Sequence, residues 1–124
     1  MAGKRPVFTE NFSANLLAIQ AFLGPEGDRA YQRLLDRLFD DIVPTICQFP
    51  QSGHSFLAWT IRSSDAKHLV KKLQALLKHG DDLREFILDD YLVLYLVRRG
   101  RIVLLSIKHH RQLSFDLKVF LQER

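Results

Sequence analysis

Tyr91 to Val97 (Tyr-Leu-Val-Leu-Tyr-Leu-Val) is the longest unbroken apolar run in the chain. It is far short of the about 18 residues a membrane-spanning helix needs. Its length and its aromatic and β-branched residues predict a β-strand. No position in the run alternates to polar, so both faces of that strand must be covered. The fold therefore needs a sheet centred on this run, with protein packed on each side.

The flanking sequence supplies the rest of the sheet. Leu83 to Leu88 reads as a strand and Asp89-Asp90 as the turn after it. Arg98-Arg99-Gly100-Arg101 reads as a hairpin turn, with glycine where positive φ is required. Ile102 to Ile107 is then a third strand, giving a meander over residues 83–108.

Helices come first in the chain. Pro6-Val7-Phe8-Thr9 reads as a short opening strand, and the Thr9 hydroxyl is placed to cap a following helix. Phe12, Leu16, Ile19 and Leu23 fall on one stripe of that helix. Gly24-Pro25-Glu26-Gly27 breaks it. Asp28 is predicted to cap a second helix carrying Tyr31, Leu34, Leu35, Leu38 and Ile42 on one face, and Pro44 to end or kink it. Together they form a helical hairpin over residues 10–47. Gln48 to Arg62 reads as loop, with an extended piece at Phe56 to Trp59. An inserted helix is predicted over residues 64–79, with Leu69, Leu73, Leu76 and Leu77 as its apolar stripe and Gly80 as its stop. A short helix is predicted at Ser114 to Leu121.

Helices segregated from consecutive strands predict an α+β fold. It is a single domain over residues 1–124 with a small twisted, mostly antiparallel sheet. The N-terminal helical hairpin packs on one face, and the inserted helix or the C-terminal tail covers the other. An apolar fraction of 47% with 26% charged residues is enough for a packed core and excludes a disordered chain.

Composition narrows the chemistry. Cys47 is the only cysteine, which excludes an internal disulfide and a cysteine-based zinc site. Beside Ile46 and Phe49 it reads as a small buried thiol. His54, His68 and His79 are scattered, so no metal is expected, and the absence of a glycine-rich phosphate loop argues against a nucleotide cofactor. The basic start, Met1 to Pro6, lacks a following apolar run, so no secretory signal is expected and the cytoplasm is the expected setting. A net charge of +4 favours anionic partners.

That charge is unevenly spread. Tyr91 to Phe115 contains no acidic residue but carries Arg98, Arg99, Arg101, Lys108, His109, His110 and Arg111. Such a concentration draws phosphate or carboxylate groups. His109 and His110 titrate near neutrality and are candidate acid–base groups. Arg84 is a candidate for a groove beside this basic end, and Arg62 and His54 are weaker ones.

Several stretches, taken in order, resemble the ParE/RelE toxin superfamily. Phe8-Thr9-Glu10-Asn11-Phe12 looks like its opening strand passing into the first helix, and Phe49-Pro50-Gln51-Ser52-Gly53-His54 like its post-hairpin segment. Leu83-Arg84-Glu85-Phe86 with Asp90 to Tyr95 is similar to its Arg-Glu and Tyr-x-Val-x-Tyr strand pair. Ile102 to Ile107 with His109-His110-Arg111 resembles its last strand and basic end. Phe56 to His79 is an insertion relative to compact members.

The resemblance implies a type II toxin–antitoxin toxin that takes part in plasmid stabilisation and growth inhibition. Its implied partners are a cognate antitoxin and either DNA gyrase, as in ParE-like members, or the ribosome and its mRNA, as in RelE-like endoribonucleases. Homodimerisation stays open, and no membrane is implied. In the RelE-like case Arg84, His109 and His110 are the catalytic candidates. Target and antitoxin contacts fall to Lys108, Arg111, Arg98, Arg99, Arg101 and Arg62. The residues after Arg111 offer no Tyr, acid or base until Asp116, which favours the gyrase reading over the ribonuclease. A plain nucleic-acid-binding domain is the third alternative. It would interleave stacking aromatics with the basic stripe.

Overall fold

A computed structural model describes residues 3–55, 77–78 and 80–109 of the protein. Strand β1 (Arg5–Phe8) leads into helix α1 (Glu10–Leu23). Thr9 caps that helix as its sequence predicts: its Oγ1 accepts from the Phe12 N–H at 3.1 Å. The same hydroxyl donates to the Leu104 carbonyl at 2.8 Å, so one side chain starts the helix and ties it to the sheet.

Helix α2 (Asp28–Arg37) follows a short 3₁₀ turn over Pro25–Gly27. Asp28 is its first residue and not its cap. Gly27 precedes it, and no side chain bonds to the free N–H groups there. The carboxylate still lies in the first turn, where the helix dipole favours it. Pro44 does not end the helical hairpin. The chain passes through a π turn over Leu38–Ile42 and continues as α3 (Val43–Gln48), with Pro44 in the first turn of α3. A proline is tolerated in a first turn because its missing N–H would have no partner there. The wider turn before it absorbs the change in pitch.

The segment after α3, read as loop from sequence, holds a 3₁₀ turn at Pro50–Ser52 and a two-residue strand β2 (His54–Ser55). Then come β3 (Asp82–Leu88), β4 (Tyr91–Arg98) and β5 (Arg101–His109). The sheet order is β1-β5-β4-β3-β2, so the apolar run at Tyr91 to Val97 occupies the central strand. All neighbours are antiparallel except β1 and β5, which are parallel with Arg5 beside Arg101 and Phe8 beside Leu104. Gly100 takes φ 70° in the β4–β5 turn and Asp89 takes φ 55° in the β3–β4 turn, a conformation that aspartate tolerates better than most residues.

The core lies between the helices and one sheet face. Phe12, Leu34, Leu38, Ile42, Val43 and Ile46 meet Leu88, Val93, Tyr95, Ile102, Leu104 and Ile107. The opposite face carries Leu83, Leu94, Leu96 and Leu105, with Leu77 and Val103 packed against them. Both faces of the central strand are thus buried, as its sequence demands. The inserted helix expected at residues 64–79, apart from residues 77–78, lies outside the described residues, as do the extended piece at Phe56 to Trp59 and the helix expected at Ser114 to Leu121.

Strand β5 carries a bulge. Leu94 registers with Ser106 and Tyr95 with Leu104, leaving Leu105 as the extra residue. The bulge flips the alternation, which places Ile107 on the same helix-covered face as Ile102 and Leu104. Two asparagines of α1 satisfy the disturbed backbone. Asn15 Oδ1 accepts from the Ile107 N–H at 3.1 Å, and Asn11 Nδ2 donates to the Leu105 carbonyl at 3.0 Å.

Candidate functional site

The residues singled out from sequence divide between two ends of the sheet. Arg98, Arg99 and Arg101 sit at the β4–β5 turn, and Lys108 and His109 at the far end of β5, where His109 registers with Tyr91. Arg84 lies between, on β3 opposite Tyr95. Arg62, His110 and Arg111 lie outside the described residues.

Arg84 is engaged in holding the fold. Its Nε donates to Asp82 Oδ2 at 3.1 Å, and its Nη1 donates to the Gly53 carbonyl at 3.1 Å. The β2 approach is pinned a second time by Tyr95. The phenol donates to the Pro50 carbonyl at 2.7 Å and accepts from the Gly53 N–H at 3.0 Å. Burial raises the Tyr95 pKa above its ordinary value, so it acts as a neutral hydrogen-bonding post. Gly53 is required for space: a Cβ there would meet both the Glu85 carbonyl and the Tyr95 hydroxyl oxygen at 2.5 Å. Residues 49–55 form a strap fastened to the sheet by two side chains of adjacent strands.

Lys108 is half-buried and registers with Leu92, whose side chain packs on the sheet face away from the helices. Arg84 shares the helix-side face with Tyr95. Three residues along the strands and two strands across separate the two registers, each on the order of 10 Å. The sheet therefore does not bring Arg84 and Lys108 to one point.

Arg98 is also committed. It forms a two-pronged pair with the buried Asp81 carboxylate, Nε to Oδ1 at 3.0 Å and Nη2 to Oδ2 at 2.9 Å. The guanidinium holds the Asp81 pKa below its usual range, and the carboxylate raises that of Arg98. Arg99 and Arg101 are exposed and make no ion pair among the described residues. Lys4 and Arg5, which sequence reasoning passed over as a basic start, join them here, since the Arg5 N–H donates to the Gly100 carbonyl at 2.9 Å. Their one sequence signal is adjacency to the opening strand. The parallel pairing that brings them to the hairpin turn has no local signature.

One buried acid stands apart. Glu85 is 3% exposed on the face away from the helices, opposite His54 of β2, and its Oε2 has no hydrogen-bond partner among the described residues. Burial raises its pKa, partly offset by His54. The folded state therefore binds this proton more tightly than the unfolded chain. Its contribution to stability falls as pH rises from the unfolded value of about 4.3 through the folded pKa. Glu85→Gln should flatten that decline and leave the variant more stable than wild type at neutral pH. Urea denaturation from pH 4 upward checks this, and parallel curves for the two proteins would refute it.

The family model described as "ParE toxin of type II toxin-antitoxin system, parDE" matches residues 7–114. The chain belongs to the ParE toxin family. It is thereby a toxin of a type II toxin–antitoxin system, and an antitoxin partner is implied by the family. No curated protein matches the chain. The matched span of this ParE toxin runs from β1 through β5 and includes the strap and both ends of the sheet. Among the described residues no helix is long and apolar enough to cross a membrane.

Proposed function

We propose that this ParE toxin arrests growth in the cytoplasm by inhibiting DNA gyrase, and that a cognate antitoxin neutralises it by covering its basic surface. One observation carries the preference for gyrase over mRNA cleavage: Arg84 is tied to Asp82 and the strap carbonyl of Gly53, remote from Lys108. A ribonuclease needs cations converging on one phosphate to stabilise its pentacovalent state, with an acid or base within reach. An arginine spent on the fold is a poor member of such a set. Growth inhibition by binding demands no such convergence, only an accessible surface of suitable charge.

Purified toxin added to gyrase and relaxed plasmid should block supercoiling in a dose-dependent way, and pre-mixing with antitoxin should restore it. Full supercoiling at toxin excess, with mRNA cut in the ribosomal A site of a translation reaction, would replace this reading with the endoribonuclease.

A further inference from the structure

At the end of the sheet where β4 turns into β5, three arginines stand in one row on neighbouring strands. Arg98 registers with Arg101, and Arg101 with Arg5. Val97 and Ile102 beside them pack against the helices, so alternation turns all three arginines to the opposite face. Arg98 is balanced by Asp81, which it holds with two prongs. Asp82, the other acid at this end, registers with Val97 on the helix-covered side and accepts from Arg84 there. Arg5 and Arg101 are left exposed, with exposed Arg99 in the turn beside them. None of these three makes an ion pair among the described residues. Lys4 is not part of the row, because it lines a groove with Val97 on the helix-covered side.

The row works against the toxin's own stability. Like charges directly opposite on neighbouring strands repel, and the pairing of β1 with β5 puts Arg5 and Arg101 in that position. The chemistry of the row indicates what offsets the repulsion. An arginine fork matches phosphate oxygens two at a time. Three strands set about 4.8 Å apart carry the row over about 10 Å. One strand of duplex DNA passes about three phosphates over that length, at about 3.4 Å each. The row offers no apolar anchor, since none of the exposed large hydrophobic residues belongs to it. A specific protein partner would bury such an anchor at the centre of its interface. A DNA backbone needs only the cations.

We propose that Arg5, Arg99 and Arg101 bind the phosphate backbone of duplex DNA, through charge and without reading its sequence. The Arg98–Asp81 pair closes the row on the β4 side and adds no net charge to it. The site goes beyond gyrase inhibition, because its ligand is bare duplex and no enzyme is needed for it to fill. For a toxin whose target works on DNA, it supplies a second point of attachment, which raises the effective concentration of toxin at the target.

The test uses the full-length toxin and a fluorescent duplex of about 20 base pairs, with anisotropy read between about 50 and 200 mM salt. Three phosphate contacts predict that wild-type affinity falls about fortyfold over that range. Arg5→Thr with Arg101→Thr leaves one contact. Its affinity should be at least about tenfold weaker at the lower salt and fall only about fourfold across the range. Its melting temperature should hold or rise, because the repulsion is gone and threonine suits a strand. Arg99→Ser disturbs no strand position and should reduce the fall to about twelvefold. Arg29→Ser with Arg33→Ser removes the same charge from exposed positions of α2 and should keep wild-type affinity within about twofold. Equal losses in the α2 and threonine variants would mean that net charge alone attracts DNA, and would overturn the inference. So would wild-type affinity and salt dependence in the threonine variant, or no duplex binding by wild type. Tighter binding of single-stranded RNA of equal length, lost in the threonine variant, would assign the row to RNA and overturn it as well. The assay contains no gyrase, so each of these failures leaves the gyrase reading standing.

Discussion

Tyr95→Ala should cost about 3–5 kcal/mol and bring the protein close to unfolding at room temperature. The ring is 0% exposed between the helices and the central strand, so its removal leaves a cavity that the surrounding Phe12, Ile46 and Leu104 cannot fill without moving. The loss does not stop at packing. The hydroxyl is the partner of both the Pro50 carbonyl and the Gly53 N–H, and Gly53 is buried. Tyr95→Phe isolates that part. It keeps the ring, orphans the Gly53 N–H, and should cost about 1–3 kcal/mol. It should also loosen the strap. Guanidinium denaturation of the two variants separates the terms. Wild-type stability in Tyr95→Phe would mean the strap is not fastened as described.

Asn15→Ala should cost about 2–3 kcal/mol, large for a polar residue on a helix. Asn15 is 5% exposed, and its Oδ1 is the acceptor for the Ile107 N–H at the bulge of β5. Removing it leaves a buried donor without a partner and withdraws the contact that fixes where the strand alternation reverses. Hydrogen exchange gives a local readout. The Ile107 amide should exchange at least about tenfold faster in the variant, by the conversion of about 1.4 kcal/mol per decade. Asn15→Asp keeps an acceptor and should recover part of the protection near neutral pH. Equal protection in wild type and Asn15→Ala would contradict the bond.

The parts of this fold legible in the sequence are those with local causes. The Thr9 cap, the apolar stripe of α1 and the glycine at the β4–β5 turn each follow from neighbouring residues. So does the central position of β4, because a strand without polar positions has nowhere else to go. The parts that escaped depend on distant partners. Nothing near Arg5 announces a parallel pairing with Arg101, and so the four-cation corner is invisible until both ends of the chain meet. Asn11 and Asn15 look like ordinary polar helix positions until the bulge they serve is known. Pro44 ends no helix because its cost depends on position: in a first turn after a π turn a missing N–H is tolerated. Arg84 and Arg98 read as candidate site residues, but each meets an acid, Asp82 two positions back for Arg84 and Asp81 across the β3–β4 hairpin for Arg98, that sequence alone could not pair with it.

Plasmid topology in cells expressing the toxin tests the proposed mode of action most directly. Wild type and the His109→Ala, His110→Ala double variant should both halt growth, and both should leave plasmids relaxed, since acid–base chemistry at those imidazoles plays no part in inhibition by binding. Growth restored by the double variant, with plasmids supercoiled throughout and ribosome-dependent mRNA cuts present only for wild type, would contradict it.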